Sequence, residues 1–188
     1  MKHRCAWVGN SPIYQTYHDE EWGVPVKDDD KMFEFLLLET FQAGLSWITI
    51  LNKRENFRKA FDQFDYKKIA LYGNDKFEEL ISNPGIIRNK AKISSAINNA
   101  IQYQKIQEEY GSFCDYIWGF VNHKVVQNTF ENPKEIPAKT ELSDRISKDL
   151  KSKGFKFIGS TTIYAHLQAT GIVNDHIKSC FRYSELNP

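Results

Sequence analysis

Apolar residues recur at spacings of three and four along most of the chain, while period-two alternation is scarce, so the pattern predicts an all-α protein. After the acidic run Asp28, Asp29, Asp30, the stretch KMFEFLLLETFQAGLSWITIL carries Phe33, Leu36, Leu37, Phe41, Leu45 and Ile48. It reads as a buried helix, with Gly44 marking a break before a second segment. Ile69 to Leu71 reads as a helix end closed by Gly73. Phe77, Leu80 and Ile81 define a short helix stopped by Asn83 and Pro84. Ile93, Ala96, Ile97, Ala100 and Ile101 define a long amphipathic one ending before Gly111. Ser143 is the expected N-cap of DRISKDLKSK, which stops at Gly154. Thr161 to Thr170 is another helix, closed by Gly171. Asn122 to Lys139, with two prolines and little periodicity, reads as a long loop. There are no repeats and no evident linker, so residues 1–188 are expected to form a single domain, as one body or as two helical lobes around a cleft.

Length and composition narrow the class. A chain of 188 residues with 41% hydrophobic and 14% aromatic content can build a real core, burying about 70% of its unfolded surface. The formal net charge is +1, so any grip on nucleic acid must come from local basic patches rather than a global field. Three widely spaced cysteines argue against a disulfide framework and for a reducing compartment. Cys114 then reads as a free buried thiol. No segment approaches membrane-spanning length and MKHRCAWVGN holds no apolar run of signal length, so a cytoplasmic protein without membrane contact is expected.

Four regions carry candidate chemistry. Cys5 and His18 near one end, and His176 and Cys180 as H-x-x-x-C near the other, hold the same pair of metal-ligand types. On a helix the second pair would share one face, and Cys2His2 is a tetrahedral zinc set in which four protein ligands leave no position for a substrate. The other reading, a small buried cysteine and a hydrogen-bonded histidine, stays open from the residues alone. Trp7, Tyr14, Tyr17 and Trp22 crowd a largely irregular segment around His18, where flat rings suit a planar ligand as well as a core. Glu39 lies in apolar sequence shortly before Trp47; it is either exposed on a polar side or buried, and if buried it needs a partner. A carboxylate in a ring-lined pocket suits a ligand that offers N–H donors and positive charge. Asn83 to Ile93 places a Pro-Gly turn between two helices, followed by Arg88, Lys90 and Lys92. It resembles a helix-hairpin-helix element that offers backbone N–H groups and a helix N-terminus to a DNA phosphate. An ordinary helical hairpin with a solvated basic face is the plainer reading. Lys148, Lys151, Lys153 and Lys156 read as a solvated face.

The strings CAWVGNSPIYQTYHDEEWGVP, FQAGLSWITILNKRENFRKAF, GIIRNKAKI, WGFVNH, SKDLKSKGFKFIGSTT and GIVNDHIKSC together resemble the type I 3-methyladenine DNA glycosylases over essentially the whole chain. The resemblance implies a helix-hairpin-helix superfamily fold and one structural zinc per chain, held by Cys5, His18, His176 and Cys180. It also implies a base pocket of Glu39, Tyr17, Trp47, Trp7 and Trp22. The implied activity is excision of N3-methyladenine from alkylated double-stranded DNA by a monomer, with free 3-methyladenine as product. The hairpin departs from the wider superfamily: Ile87 and Arg88 stand where a second glycine is usual. After it, only Glu108, Glu109 and Asp115 offer carboxylates, without the context of a catalytic aspartate. The close family lacks that aspartate too, and the chemistry allows it, because methylation at N3 leaves the base cationic and its bond to the sugar already weak. The competing reading is a non-catalytic, zinc-clasped module that binds nucleic acid or a nucleobase; a carboxylate in an aromatic pocket argues against it.

Overall fold

A computed structural model describes residues 2–186. Among them are ten α-helices: α1 (Pro12–Glu20), α2 (Asp29–Gln42), α3 (Trp47–Ala60), α4 (Tyr66–Ile69), α5 (Asn74–Ser82), α6 (Lys90–Tyr110), α7 (Phe113–Gly119), α8 (Glu141–Ser152), α9 (Ser160–Ala169) and α10 (Phe181–Glu185). Two short strands, β1 (Val126–Gln127) and β2 (Val173–Asn174), pair in parallel with Val126 opposite Val173. None of these helices is long and apolar enough to cross a membrane.

Helix α2 is the axis of the molecule. Met32 to Phe41 are all buried, so this helix is enclosed on every side rather than striped. Asp28 caps its start by accepting from Lys31 N at 2.8 Å. The neighbouring Asp29 accepts from the first amides of α7, Phe113 N at 3.0 Å and Cys114 N at 2.8 Å, which ties two helix starts together. Gly44, with φ of 80°, turns the chain between α2 and α3 as its sequence position suggests. Leu45 in that turn is exposed rather than part of the buried stripe.

An ion-pair network braces the same region. Arg54 of α3 grips Glu21 with two bonds of 2.8 Å and reaches Glu34 of α2 with a third. Arg58 and Lys31 add contacts to Glu34. Burial raises the Glu21 carboxyl, but Arg54 and Lys31 outweigh it and hold the group down at about 2. The forked guanidinium suits this bridging of two carboxylates.

Several local details differ from the sequence pattern. Tyr14 and Tyr17 stand on helix α1 rather than in irregular chain, because Pro12 opens a helix with its φ already set. Gly73 is the N-cap of α5, not the close of the preceding helix, which ends at Ile69. Thr140, not Ser143, caps α8: Ser143 N donates to Thr140 Oγ1 at 3.2 Å and Thr140 N donates to Ser143 Oγ at 2.9 Å. This reciprocal capping box starts the helix three residues earlier in the chain. The expected loop over 122–139 contains β1 and a 3-10 turn at Pro133–Glu135.

Gly171, with φ of 68°, ends α9 where it meets the backbone of 23–25. An added Cβ would lie 2.5 Å from Pro25 N and from Val24 C. Gly111 has a similar φ of 87° but nothing near the corresponding position. Gly111→Ala should therefore cost about 1 kcal/mol through backbone strain alone. Gly171→Ala should cost about 1–3 kcal/mol more, because the backbone it meets cannot swing aside. Denaturant midpoints of the two variants, measured together, check the difference.

Candidate metal centre and base-binding cavity

Cys5, His18, His176 and Cys180 converge from the two ends of the described chain, all four buried, with their ligand atoms within 4.8 Å of one another. Cys180 Sγ lies 3.4 Å from both His18 Nε2 and His176 Nδ1, and Cys5 Sγ lies 3.6 Å from His176 Nδ1. Tetrahedral zinc, with bonds of about 2.0–2.3 Å, sets such atoms about 3.3–3.8 Å apart. The outer nitrogens are held as well. His18 Nδ1 meets Asp19 Oδ1 at 2.8 Å, Asp19 is gripped by Arg4, and His176 Nε2 meets the Trp22 carbonyl at 3.1 Å. A carboxylate or carbonyl on the far nitrogen fixes the tautomer that leaves the near nitrogen free to coordinate. The H-x-x-x-C pair is not helical: His176 lies in irregular chain after β2 and Cys180 is the N-cap of α10.

Trp22 joins this cluster to a second site. Its ring stands 4.5 Å from His176 and is stacked at 6.1 Å on His18, and its other neighbour is Trp7 at 5.2 Å. Trp7 and Trp22 line a cavity of about 450 Å³ together with Tyr14, Tyr17, Glu39, Gln42, Trp47, Pro133, Ile136, Ala165 and Gln168. The size suits a small planar ligand. Tyr17 packs on Trp47 at 5.5 Å. The sequence pointed to Trp7, Tyr14, Tyr17, Trp22, Glu39 and Trp47, and all six are here.

Glu39 is buried and its carboxyl makes no hydrogen bond to any described residue; burial alone raises it to about 8. Glu34, five residues earlier on the same helix, shows the contrast. It is nearly as buried, but Arg54, Lys31 and Arg58 overcome the effect of burial and hold it below the usual carboxylate range. The Trp47 indole N–H is also buried without a partner. Gln42 donates its amide N–H to the Leu45 carbonyl at 2.8 Å, which leaves the amide oxygen as an acceptor. The cavity thus joins apolar rings to an unpaired carboxyl, an unpaired donor and spare acceptors. Unsatisfied groups of this kind are costly in a core and useful to a ligand.

Sequence reasoning missed the far wall. Pro133 and Ile136 come from the segment read as a loop without periodicity, and Ala165 and Gln168 from α9, whose pattern announced only a core helix.

The basic residues of the α5–α6 hairpin divide. Arg88 and Lys90 are exposed at the start of α6. Lys92, expected beside them as a phosphate contact, is buried at 6% exposure. Its ammonium donates to the carbonyls of Phe41 at 2.8 Å and Ala43 at 2.6 Å. Two residues on from exposed Lys90, the helix points it onto the C-terminus of α2, where a cation meets carbonyls left over at the helix end and the negative end of the helix dipole. Lys92 therefore caps the helix that carries Glu39, and it is not free to meet a phosphate. A second hairpin links α8 to α9. There Gly159 precedes α9 without a side-chain cap, and Lys156 and Phe157 are exposed beside it.

Comparison with known proteins agrees with this geometry. Residues 7–183 match the family model described as methyladenine glycosylase. The DNA-3-methyladenine glycosylase 1 of Escherichia coli strain K12 is 46% identical over 185 residues, covering 98% of this chain and 99% of that protein. The DNA-3-methyladenine glycosylase of Haemophilus influenzae is 48% identical, covering 96% and 97%. The solved structure of 3-methyladenine DNA glycosylase I from Staphylococcus aureus superposes with a TM-score of 0.92 at 36% identity, covering 95% of each chain. The chain belongs to the methyladenine glycosylase family.

Proposed function

We propose that this protein is a DNA repair enzyme that flips N3-methyladenine out of alkylated DNA into the cavity and hydrolyses its N-glycosidic bond. The observation that carries the reading is Glu39: a buried carboxyl with no partner, inside a ring-lined cavity, on a chain of this family. Methylation at N3 makes the base a cation and a ready leaving group. The bond to the sugar breaks with its electrons passing to the base, which departs neutral. Water then adds to the electron-poor sugar carbon and loses a proton, leaving an abasic site. No strong acid is required. The protein's part is to extract and hold the base. Flipping costs a few kcal/mol, and stacking on Trp47, Tyr17, Trp7 or Trp22 at about 1–3 kcal/mol per contact offsets much of it. Glu39 accepts from the amino N–H of the base and, ionised, is favoured by its positive charge.

The Cys5, His18, His176 and Cys180 group is assigned here to one structural zinc, with all four positions filled by protein. Its role is to clasp residues 5–18 to residues 176–180 and so hold Trp22 and Trp7 at the cavity. DNA contact is assigned to the exposed hairpin ends, Arg88 and Lys90 before α6 and the uncapped start of α9. Helix starts of this kind receive phosphates in helix-hairpin-helix proteins.

Glu39→Gln should cut excision of N3-methyladenine from duplex DNA by about 10- to 100-fold, the worth of a hydrogen bond to a charged group. It should do so without loss of metal or fold. In the wild type, kcat/KM should climb as pH is raised through about 8, where Glu39 ionises in the empty site. Stability should run the other way. The folded carboxyl titrates at about 8 and the unfolded one near 4.5, so between those values the folded chain holds a proton the unfolded chain has released. Stability therefore falls across that window, and Glu39→Gln should be a few kcal/mol more stable than wild type above it while nearly matching it below. Melts across pH read this directly.

The zinc assignment predicts one zinc per chain by elemental analysis after metal-replete expression. Asp19→Ala, which frees the outer nitrogen of His18, should weaken metal affinity by about 10–100-fold, as measured by competition with a chelator. For the DNA contacts, each of Arg88→Ala and Lys90→Ala should reduce the slope of log affinity against log salt by about one. Lys92→Ala should instead lower the melting temperature and leave that slope unchanged.

A further inference from the structure

Helix α9 contributes a polar group to the cavity whose orientation is fixed from outside it. Gln168 lines the cavity and donates its Nε2 to Asp175 Oδ2 at 2.8 Å. Asp175 is 1% exposed and also accepts from the Tyr164 hydroxyl and from Asn128 Nδ2 at 2.6 Å. Tyr164 and Gln168 share one face of α9, four residues apart. Asn128 and Asp175 each follow one of the two paired strands, so the small sheet brings them together. A carboxylate can only accept, so the amide nitrogen of Gln168 must face it; turned over, the amide would set oxygen against oxygen in a buried place. The remaining end, Oε1, makes no hydrogen bond to any described residue.

We propose that Gln168 is a specificity-determining residue for the excised base: its amide oxygen, locked as an acceptor by Asp175, favours a purine bearing an amine over one bearing a carbonyl at the same ring carbon. The inference rests on the base-excision reading above and deepens it. N3-methyladenine and N3-methylguanine are both cationic and both stack, so the rings and the charge of Glu39 do not separate them; hydrogen-bond acceptors do, and Gln168 adds a fixed one to Glu39. They differ in that adenine carries an exocyclic amine, a donor, where guanine carries a carbonyl. A fixed acceptor bonds the first and repels the second. A freely turning amide would accept either, so the discrimination belongs to Asp175 as much as to Gln168.

The experiment measures release of both bases from one DNA treated with a methylating agent, by wild type, Gln168→Met and Asp175→Asn, with melts to confirm the fold. The expected result is that Gln168→Met narrows the preference for 3-methyladenine over 3-methylguanine by about tenfold, the worth of one hydrogen bond. Asp175→Asn, with Gln168 still in place but free to turn, should narrow it in the same direction, and the double variant should narrow it no further. If Asp175→Asn does not fold, Gln168→Met decides alone. An unchanged ratio in folded Gln168→Met, or equal loss of both products, overturns the inference. Failure of the wild type to release 3-methyladenine at all would instead overturn the excision reading beneath it.

Discussion

One carboxyl without a partner governs this molecule. Glu39 lies on a helix enclosed on all sides, where an ionised group with no counter-charge is disfavoured by desolvation. Five residues away, Glu34 receives three cations in a comparable depth of burial. The sequence supplies Arg54, Arg58 and Lys31 to one carboxylate and none to the other. A neutral partner or an exposed position for Glu39 would have made the fold more stable. Inside a cavity of rings, such a carboxyl would suit the cationic, donor-bearing base of the proposed function, at a cost in stability.

Much of the remaining structure holds that arrangement in place. Lys92 caps the end of α2 just beyond Glu39, and Gly44 turns the chain so that Trp47 comes back to the same cavity. Arg54 fastens the segment after α1 to α2 and α3, which keeps Tyr17 against Trp47. The cysteine and histidine cluster anchors Trp22 from behind through ring contacts with both histidines. Gly171 lets α9 approach the 23–25 backbone closely enough for Ala165 and Gln168 to close the far side. The aromatic rings are thus mounted on rigid supports, which keeps small the ordering required when a base arrives.

The helices were legible because their apolar spacing is regular. Glu39 was legible because a carboxylate stands out in FLLLETF, and the metal-ligand types because cysteine is rare in this chain. What escaped the sequence was whatever depends on partners distant in the chain. Lys92 looks like its exposed neighbours Arg88 and Lys90, and only packing against α2 shows that it is a buried cap. Ser143 and Thr140 are both good caps, and the choice between them follows from a reciprocal hydrogen bond that composition does not reveal. The spacing of His176 and Cys180 fits a helix that is not there, since convergence on Cys5 and His18 sets their geometry instead. Pro133, Ile136 and Gln168 carry no local sign of a site, because each serves the cavity only through segments brought to it by the fold.

Recognition of a cationic base turns on the protonation of Glu39, which carbon NMR of a labelled carboxyl reads directly as pH is varied. In the free protein the midpoint should fall at about 8, and it should move down when an N3-methylated, cationic purine occupies the cavity. A midpoint near the ordinary carboxylate value of 4.5 in the free protein, unmoved by the purine, would be the contrary result: Glu39 would then have found a partner or water, and the cavity would not be built around an unpaired carboxyl.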